Sequence, residues 1–218
     1  MILKPPKGAM LNRGHPLARG LVYCGLFNEG GGNIVNDLSG NGNKGSLIAD
    51  THFVSGKFGP CLSFDGTEDS VSLKKSILLS YHIPRTISIW FSATALGGVL
   101  LGGVSPQYYP YIDATRVYIR SGGAVSILHE GITLNQWHNL IITGPGSNIG
   151  PLLYIDGKLI GQFSVDAQPN ITHIGAFSIG TSSFNGLIDN VQIYNRALTA
   201  TEVLSLYRDP FQMFWVDL

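Results

Sequence analysis

Three short stretches of the 218-residue chain carry side chains of the kind that do chemistry. Asp37-Leu38-Ser39-Gly40-Asn41-Gly42-Asn43 sets oxygen-bearing side chains at alternate positions with glycines between them, the pattern of the first half of an EF-hand calcium loop. A hard cation needs several oxygens on a sharply turning backbone. The second half of that pattern fails, because Ile48 stands where a bidentate Glu would be, so a plain Asx-rich turn remains the competing reading. Phe64-Asp65-Gly66-Thr67-Glu68-Asp69-Ser70 is an acidic turn between two strand-like runs. In Gly186-Leu187-Ile188-Asp189-Asn190-Val191-Gln192-Ile193-Tyr194, strict alternation places Leu187, Asp189, Val191 and Ile193 on one face. If that face is the core, Asp189 is a buried acid that needs a cation, an arginine such as Arg116 or Arg196, or several backbone N–H donors. Asp65 or Asp69 joining Asp37 or Asp189 around one Ca2+ is the cation reading, and because Asp189 is read as core-facing and strand-borne, Asp189→Ala should destabilise the fold.

A fourth cluster, Tyr108-Tyr109-Pro110-Tyr111, offers aromatic faces of the kind that stack on sugars or anchor protein interfaces, or that shield a loop against a sheet. Signatures of catalysis are missing. The six histidines show neither H-x-H nor HExxH spacing, no G-x-S-x-G elbow occurs, and the four glutamates Glu29, Glu68, Glu130 and Glu202 are scattered. The expectation is a protein that is not an enzyme.

The elements that position these residues read as short strands separated by Gly, Asn, Asp and Pro. Twelve runs fit: LVYCGLF, CLSFDG, VSLKK, TISIWFSA, GVLLGG, TRVYIR, AVSILH, WHNLIITG, LLYIDG, KLIGQFSV, FSIG and LIDNVQIY. So many strands with a single helix predict an all-β, antiparallel sandwich or barrel. Asp156-Gly157 fits a type I′ hairpin turn. The helix starts at Thr199, which forms a capping box with Glu202, and Pro210 ends it.

Hydrophobic residues make up 44% and charged residues 13%, with zero net charge, which describes a chain with a real core and no bias toward nucleic acid. No run is long enough to span a membrane. Residues 1–20 form a basic arm with Lys4, Lys7, Arg13 and Arg19 and no acid, read as a loose terminus or a docking arm for a neighbouring subunit. Residues 209–218 form an apolar tail that should pack on its own domain or on a partner, leaving 21–208 as one domain. Prolines and Lys7 interrupt any signal-peptide-like segment, so synthesis and folding in a cytoplasm are expected. Cys24 and Cys61 both lie in apolar runs, and the sequence leaves open whether they pair.

From Leu21 to Tyr207 the ordered series LVYCGLFNEGGGNIVNDLSGNGNKGSL, GPCLSFDGTEDSVSL, TISIWFSA, QWHNLIITG, LLYIDGKLIG and FNGLIDNVQIYNRALTATEVLSLY resembles the laminin-G-like jelly roll of the concanavalin A-like lectin/glucanase superfamily. The resemblance implies two face-to-face antiparallel sheets with one C-terminal helix. It also implies a structural Ca2+ near the acidic turns, with Asp37 and Asp189 its first ligands and Asp65 and Asn41 weaker ones. The superfamily's hydrolases carry an E-x-D-x-E strand motif that this chain lacks, so binding of a glycan or cell-surface polysaccharide through Tyr108, Tyr109 and Tyr111 is the implied role. LNRGHPLARGLVYC and LYRDPFQMFW also resemble phage-associated members, which implies a place on the virion surface. Other virion proteins or further copies of the chain are then partners, and a capsid or tail decoration without sugar binding is the alternative.

Overall fold

The computed structural model describes residues 2–79, 83–103, 110–113, 116–121, 124–129, 132–146, 149–164, 170–178 and 182–215. In chain order its strands are β1 (Leu21–Gly25), β2 (Ile34–Val35), β3 (Gly45–Ile48), β4 (His52–Ser55), β5 (Pro60–Asp65), β6 (Ser70–Leu78), β7 (Arg85–Ala93) and β8 (Leu101–Gly103). They continue with β9 (Tyr111–Asp113), β10 (Arg116–Ser121), β11 (Ala124–His129), β12 (His138–Gly144), β13 (Leu152–Ile155), β14 (Lys158–Gln162), β15 (Asn170–Ile174) and β16 (Asn185–Tyr194), and the helix is α1 (Ala200–Arg208). No helix is long and apolar enough to cross a membrane among the described residues.

All strand pairs named below are antiparallel, as the turn-rich sequence requires. The large sheet runs β14-β13-β12-β7-β16-β5-β4, with β1 also paired to β16; the smaller runs β2-β3-β6-β15-β8; and β9, β10 and β11 form a third. This is the expected β-sandwich. The segments missed in the sequence are β2, β3, β4, β9 and β15, which have two to five residues each, too few for alternation to stand out from the turns around them. β15 precedes the run FSIG, whose Ile179 and Gly180 lie outside the described residues. Asp156 and Gly157 both have positive φ, 51° and 77°, as a type I′ turn demands.

The centre of the large sheet is buried on both faces: all nine residues of β7 and all seven of β12 are buried, whereas the edge strands β4 and β14 are not. Ile87, Ile89 and Phe91 point into the core between the sheets together with Leu140, Ile142, Leu153, Val191 and Ile193. Trp90, Ile141, Tyr154 and Tyr194 point outward into a second cluster closed by Val203 and Leu206 of α1 and by Phe211, Met213 and Phe214. Two covered faces explain the apolar stretches Ile89-Trp90-Phe91 and Leu140-Ile141-Ile142, where neighbouring side chains on opposite faces are both hydrophobic.

Arm and tail belong to this outer layer. The Asn12 N–H donates to the Met213 carbonyl at 2.8 Å, and the Trp215 N–H donates to the Met10 carbonyl at 2.9 Å. Leu17 is buried against the same cluster. The arm is therefore not loose along this length, and Phe211, Met213 and Phe214 of the tail pack on its own domain. Cys24 and Cys61 are both buried and unpaired. Burial, reinforced by Asp37, raises the Cys24 thiol well above its ordinary pKa; burial and then Asp189 push that of Cys61 to about 12, so both stay protonated.

One local departure relocates the acid at the centre of the sequence argument. Ile188 pairs with Phe91 and Val191 with Ile89, so β16 takes three steps where β7 takes two, a β-bulge holding Asp189 and Asn190. The bulge returns Ile188 to the inter-sheet core and leaves Leu187 half-buried. Asp189 is fully buried, but beside Phe58 of the outer layer rather than in the core that straight alternation predicted.

Candidate functional site

The oxygens expected to hold calcium are engaged elsewhere. Asp37 Oδ1 accepts the N–H groups of Cys24 and Ser39 at 3.0 and 2.9 Å, and Oδ2 accepts that of Asn43 at 2.9 Å. The carboxylate thus folds its own turn and staples it to β1, the Asx-rich reading of that stretch. Asn41 Nδ2 donates to the carbonyls of Leu21 and Val22 at 3.3 and 3.1 Å. Asp65 Oδ1 accepts from the Thr67 N–H at 2.6 Å. Asp69 lies buried behind it, accepting the Asp50 and Asp65 N–H groups at 2.8 and 2.9 Å; burial raises its carboxyl pKa, and those two donors pull it back. Asp189 faces the ammonium of Lys4, Nζ to Oδ1 2.5 Å, and takes the Phe58 N–H at 3.4 Å.

Asp37, Asp65 and Asp189 are therefore not brought together, and no three His, Cys, Asp or Glu side chains group around a metal-sized space among the described residues. Asp37 and Asp189 are already engaged by backbone N–H groups and one ammonium, which disfavours a calcium ion on this donor set. Arg116 and Arg196 are not the partners of Asp189 either: Arg116 pairs with Asp113 at 3.1 Å, and Arg196 with Glu202 at 2.8 Å. The melting temperature is accordingly expected to be the same in EDTA and in millimolar Ca2+, and an upward shift with Ca2+ in a thermal melt would overturn this account of the carboxylates.

What the fold does bring together is amides. The 37–43 turn, the end of β6 and the residue after β16 enclose a pocket of about 390 Å3 lined by Val22, Asn41, Asn43, Lys75, Ile77, Leu79 and Asn195, with Ser76, Leu78 and Ile83 completing it. That volume falls within the range of small-molecule sites. The Asn41 amide, with Nδ2 held by backbone carbonyls, has an uncommitted oxygen; the Asn43 oxygen accepts the Lys75 N–H at 2.9 Å, so its NH2 is uncommitted. Asn195 is exposed and adds both an acceptor and a donor. Ile77 and Leu79 are buried and supply an apolar floor, Lys75 a single positive charge, and no acid lines the pocket among the described residues. The sequence held this site in plain view, since Asn41 and Asn43 drew attention as oxygen ligands, but nothing local joined them to Asn195.

Of the predicted aromatic residues, Tyr108 and Tyr109 lie outside the described residues. Tyr111 opens β9 and stacks on Tyr118 of β10, ring centroids 4.5 Å apart and planes 25° apart. It is half-buried, part of the three-stranded sheet, and not in the amide pocket.

A family model described as the concanavalin A-like lectin/glucanases superfamily matches residues 65–204. The chain belongs to that superfamily. Among curated proteins this superfamily member is similar to the non-toxic nonhemagglutinin type A of Clostridium botulinum, 24% identical over 192 residues that make up 83% of the chain and 16% of the relative. Among solved structures it is similar to the binding domain of Paraclostridial Mosquitocidal Protein 1, with TM-score 0.72 and 21% identity over 88% of this chain and 52% of that one. It is also similar to domain 4 of AbnA, a GH43 extracellular arabinanase from Geobacillus stearothermophilus solved with arabinotriose, with TM-score 0.67 and 21% identity over 86% of this chain and 98% of that domain. The chain thus spans about a sixth of the curated relative and about half of the mosquitocidal binding domain, and what these structures share with it is the fold.

The superfamily name covers lectins and glucanases, so the acids decide which chemistry this member has room for. Glu29 Oε1 accepts both the N–H and the side-chain amide of Asn36, at 2.7 and 2.9 Å. Glu202 closes the helix capping box and pairs with Arg196, which lowers its pKa. Glu68 occupies a left-handed turn position with φ 62°, and Glu130 lies outside the described residues. Among the described residues, His138 alone resembles catalytic machinery, with Nδ1 2.8 Å from Asp156 Oδ2. Its Nε2, the atom a general base would present, accepts the Thr133 N–H at 3.1 Å, so this pair fastens the Asp156 hairpin to the strand beside it.

Proposed function

We propose that the protein is a non-enzymatic carbohydrate-binding protein whose jelly roll holds a sugar unit in the amide-lined pocket. The observation that carries this reading is the pocket itself: uncommitted amide donors and acceptors surround an apolar floor, with no carboxylate among the described lining residues. A sugar ring matches both parts, since its hydroxyls donate and accept while its C–H face is apolar. Hydrolysis needs two carboxyl groups flanking the bond, which this pocket lacks. The fold shared with an arabinanase domain complexed with arabinotriose supports the choice of ligand class.

Two features favour binding over a purely structural decoration. The arm and tail that would dock on other subunits are packed on their own sheet, and the pocket opens beside exposed Asn195 and Lys75. Display on a phage particle stays part of the proposal, supported by the resemblance of LNRGHPLARGLVYC and LYRDPFQMFW to phage-associated members.

A glycan array followed by calorimetry tests the reading. Asn195→Ala and Lys75→Ala, both exposed and remote from the core, should each weaken the best array ligand about 5- to 10-fold, the loss of one hydrogen bond to a ligand. Tyr111→Ala should leave the affinity unchanged. Loss of binding in Tyr111→Ala alone would move the site to the three-stranded sheet, and an array without a hit would overturn sugar binding.

A further inference from the structure

The Lys4–Asp189 pair plays no part in the amide pocket and differs in kind from the other ion pairs among the described residues. Its side chains are 3% and 0% exposed, whereas those of Arg116–Asp113 and Arg196–Glu202 are 24% exposed or more. Both reacting ends are fixed. The Lys4 N–H donates to the Phe58 carbonyl at 3.1 Å and its Nζ donates to the Pro60 carbonyl, while Asp189 is held in the β16 bulge with the Phe58 N–H on its second oxygen. Gly56 leaves room beside them; a Cβ there would stand 2.6 Å from Cys61 Sγ and 3.1 Å from Asp189 Oδ2. An amine and a carboxyl group are thus held in contact in a dry site.

We infer that Lys4 Nζ and Asp189 Cγ condense into an intramolecular amide, a covalent cross-link between the N-terminal arm and the last strand. The step balances without a co-reactant. A proton passes from the ammonium to the carboxylate, giving a neutral amine and a carboxylic acid. The nitrogen lone pair attacks Cγ, the Cγ–OH bond breaks, and the hydroxyl leaves as water with a second proton from nitrogen. Nothing is oxidised or reduced.

Several features favour the reaction. Burial raises the Asp189 carboxyl pKa and lowers that of the Lys4 ammonium, each tempered by the other's charge, so the neutral reactants are populated more than they would be in water. Fixing both ends in contact removes the entropy cost of meeting. A cavity of about 430 Å3 lined by Gly30, Gly56, Gly59 and Pro60 gives the released water a way out. The amide also replaces two desolvated ions with one neutral group.

Intact-mass spectrometry of the purified, folded full chain reads the outcome directly. The expected mass is that of the sequence less one water, with digestion giving a branched peptide that contains both Lys4 and Asp189. Lys4→Arg, which keeps the charge opposite Asp189, should restore the full mass and lower the melting temperature. The inference is overturned by a cooperatively melting wild-type chain of full mass whose Lys4 and Asp189 fall in separate linear peptides. It is overturned equally by a water loss that persists in Lys4→Arg and maps to Asp65-Gly66 or Asp156-Gly157, where succinimide formation would produce it.

Discussion

Asp189→Ala is expected to lower the free energy of unfolding by about 3–5 kcal/mol, and Lys4→Met by a similar amount. The two residues sit in one buried contact, so removing either strands the other. Without Asp189, the Lys4 ammonium keeps only the Pro60 carbonyl in a site with 3% side-chain exposure. Without Lys4, the Asp189 carboxylate keeps only a 3.4 Å bond from the Phe58 N–H and its own bulge. An uncompensated buried charge costs far more than a lost surface pair, for which about 0–1 kcal/mol is typical. Phe58, whose N–H meets Asp189 and whose carbonyl meets the Lys4 N–H, packs edge-on against Trp90 and Phe211 at 5.1 and 5.2 Å, so the damage adjoins the outer layer. Urea denaturation of each variant against wild type is the measurement. A change below about 1 kcal/mol in either would mean that the pair is hydrated or that the arm does not close the outer layer.

The second large effect separates two neighbours in one strand. Ile188→Ala should cost about 2–5 kcal/mol and Leu187→Ala less than about 1 kcal/mol. Ile188 is fully buried between the sheets, paired with Phe91 and Leu62, so its truncation leaves a cavity in a close-packed layer. Leu187 is half-buried and lies between Ser63 and Ser92 in the sheet. Straight alternation through Leu187, Asp189, Val191 and Ile193 predicts the reverse order, so the ratio of the two measured losses tests the bulge. Equal losses would mean that Leu187 shares the core and that the register does not shift.

The β16 segment also marks the border between what local sequence specifies and what it does not. Strand character was legible in the β-branched and aromatic runs, the hairpin in Asp156-Gly157, and the helix start in Thr199 and Glu202, because each signal acts within a few residues. The Thr199 side chain accepts the Glu202 N–H at 3.3 Å, and the Glu202 carboxylate accepts the Thr199 N–H at 2.9 Å, as the capping box requires. A bulge is different. It is one extra residue against a partner strand, and the partner here is β7, far away in sequence.

The sequence by itself determined an antiparallel sandwich or barrel, the turn chemistry and the helix cap, and it marked Asp37, Asn41, Asp65 and Asp189 as residues with something to do. Tertiary structure alone decided what they do. It gave Asp37 to three backbone N–H groups, carried Lys4 from the N-terminal arm to Asp189 near the other end of the chain, and set Asn195 beside Asn41 and Asn43 to form a pocket. The physical reason is range. Periodicity, capping and turn preference act between neighbours, whereas the partner of a buried charge and the walls of a cavity are fixed by which segments the sheets bring into contact.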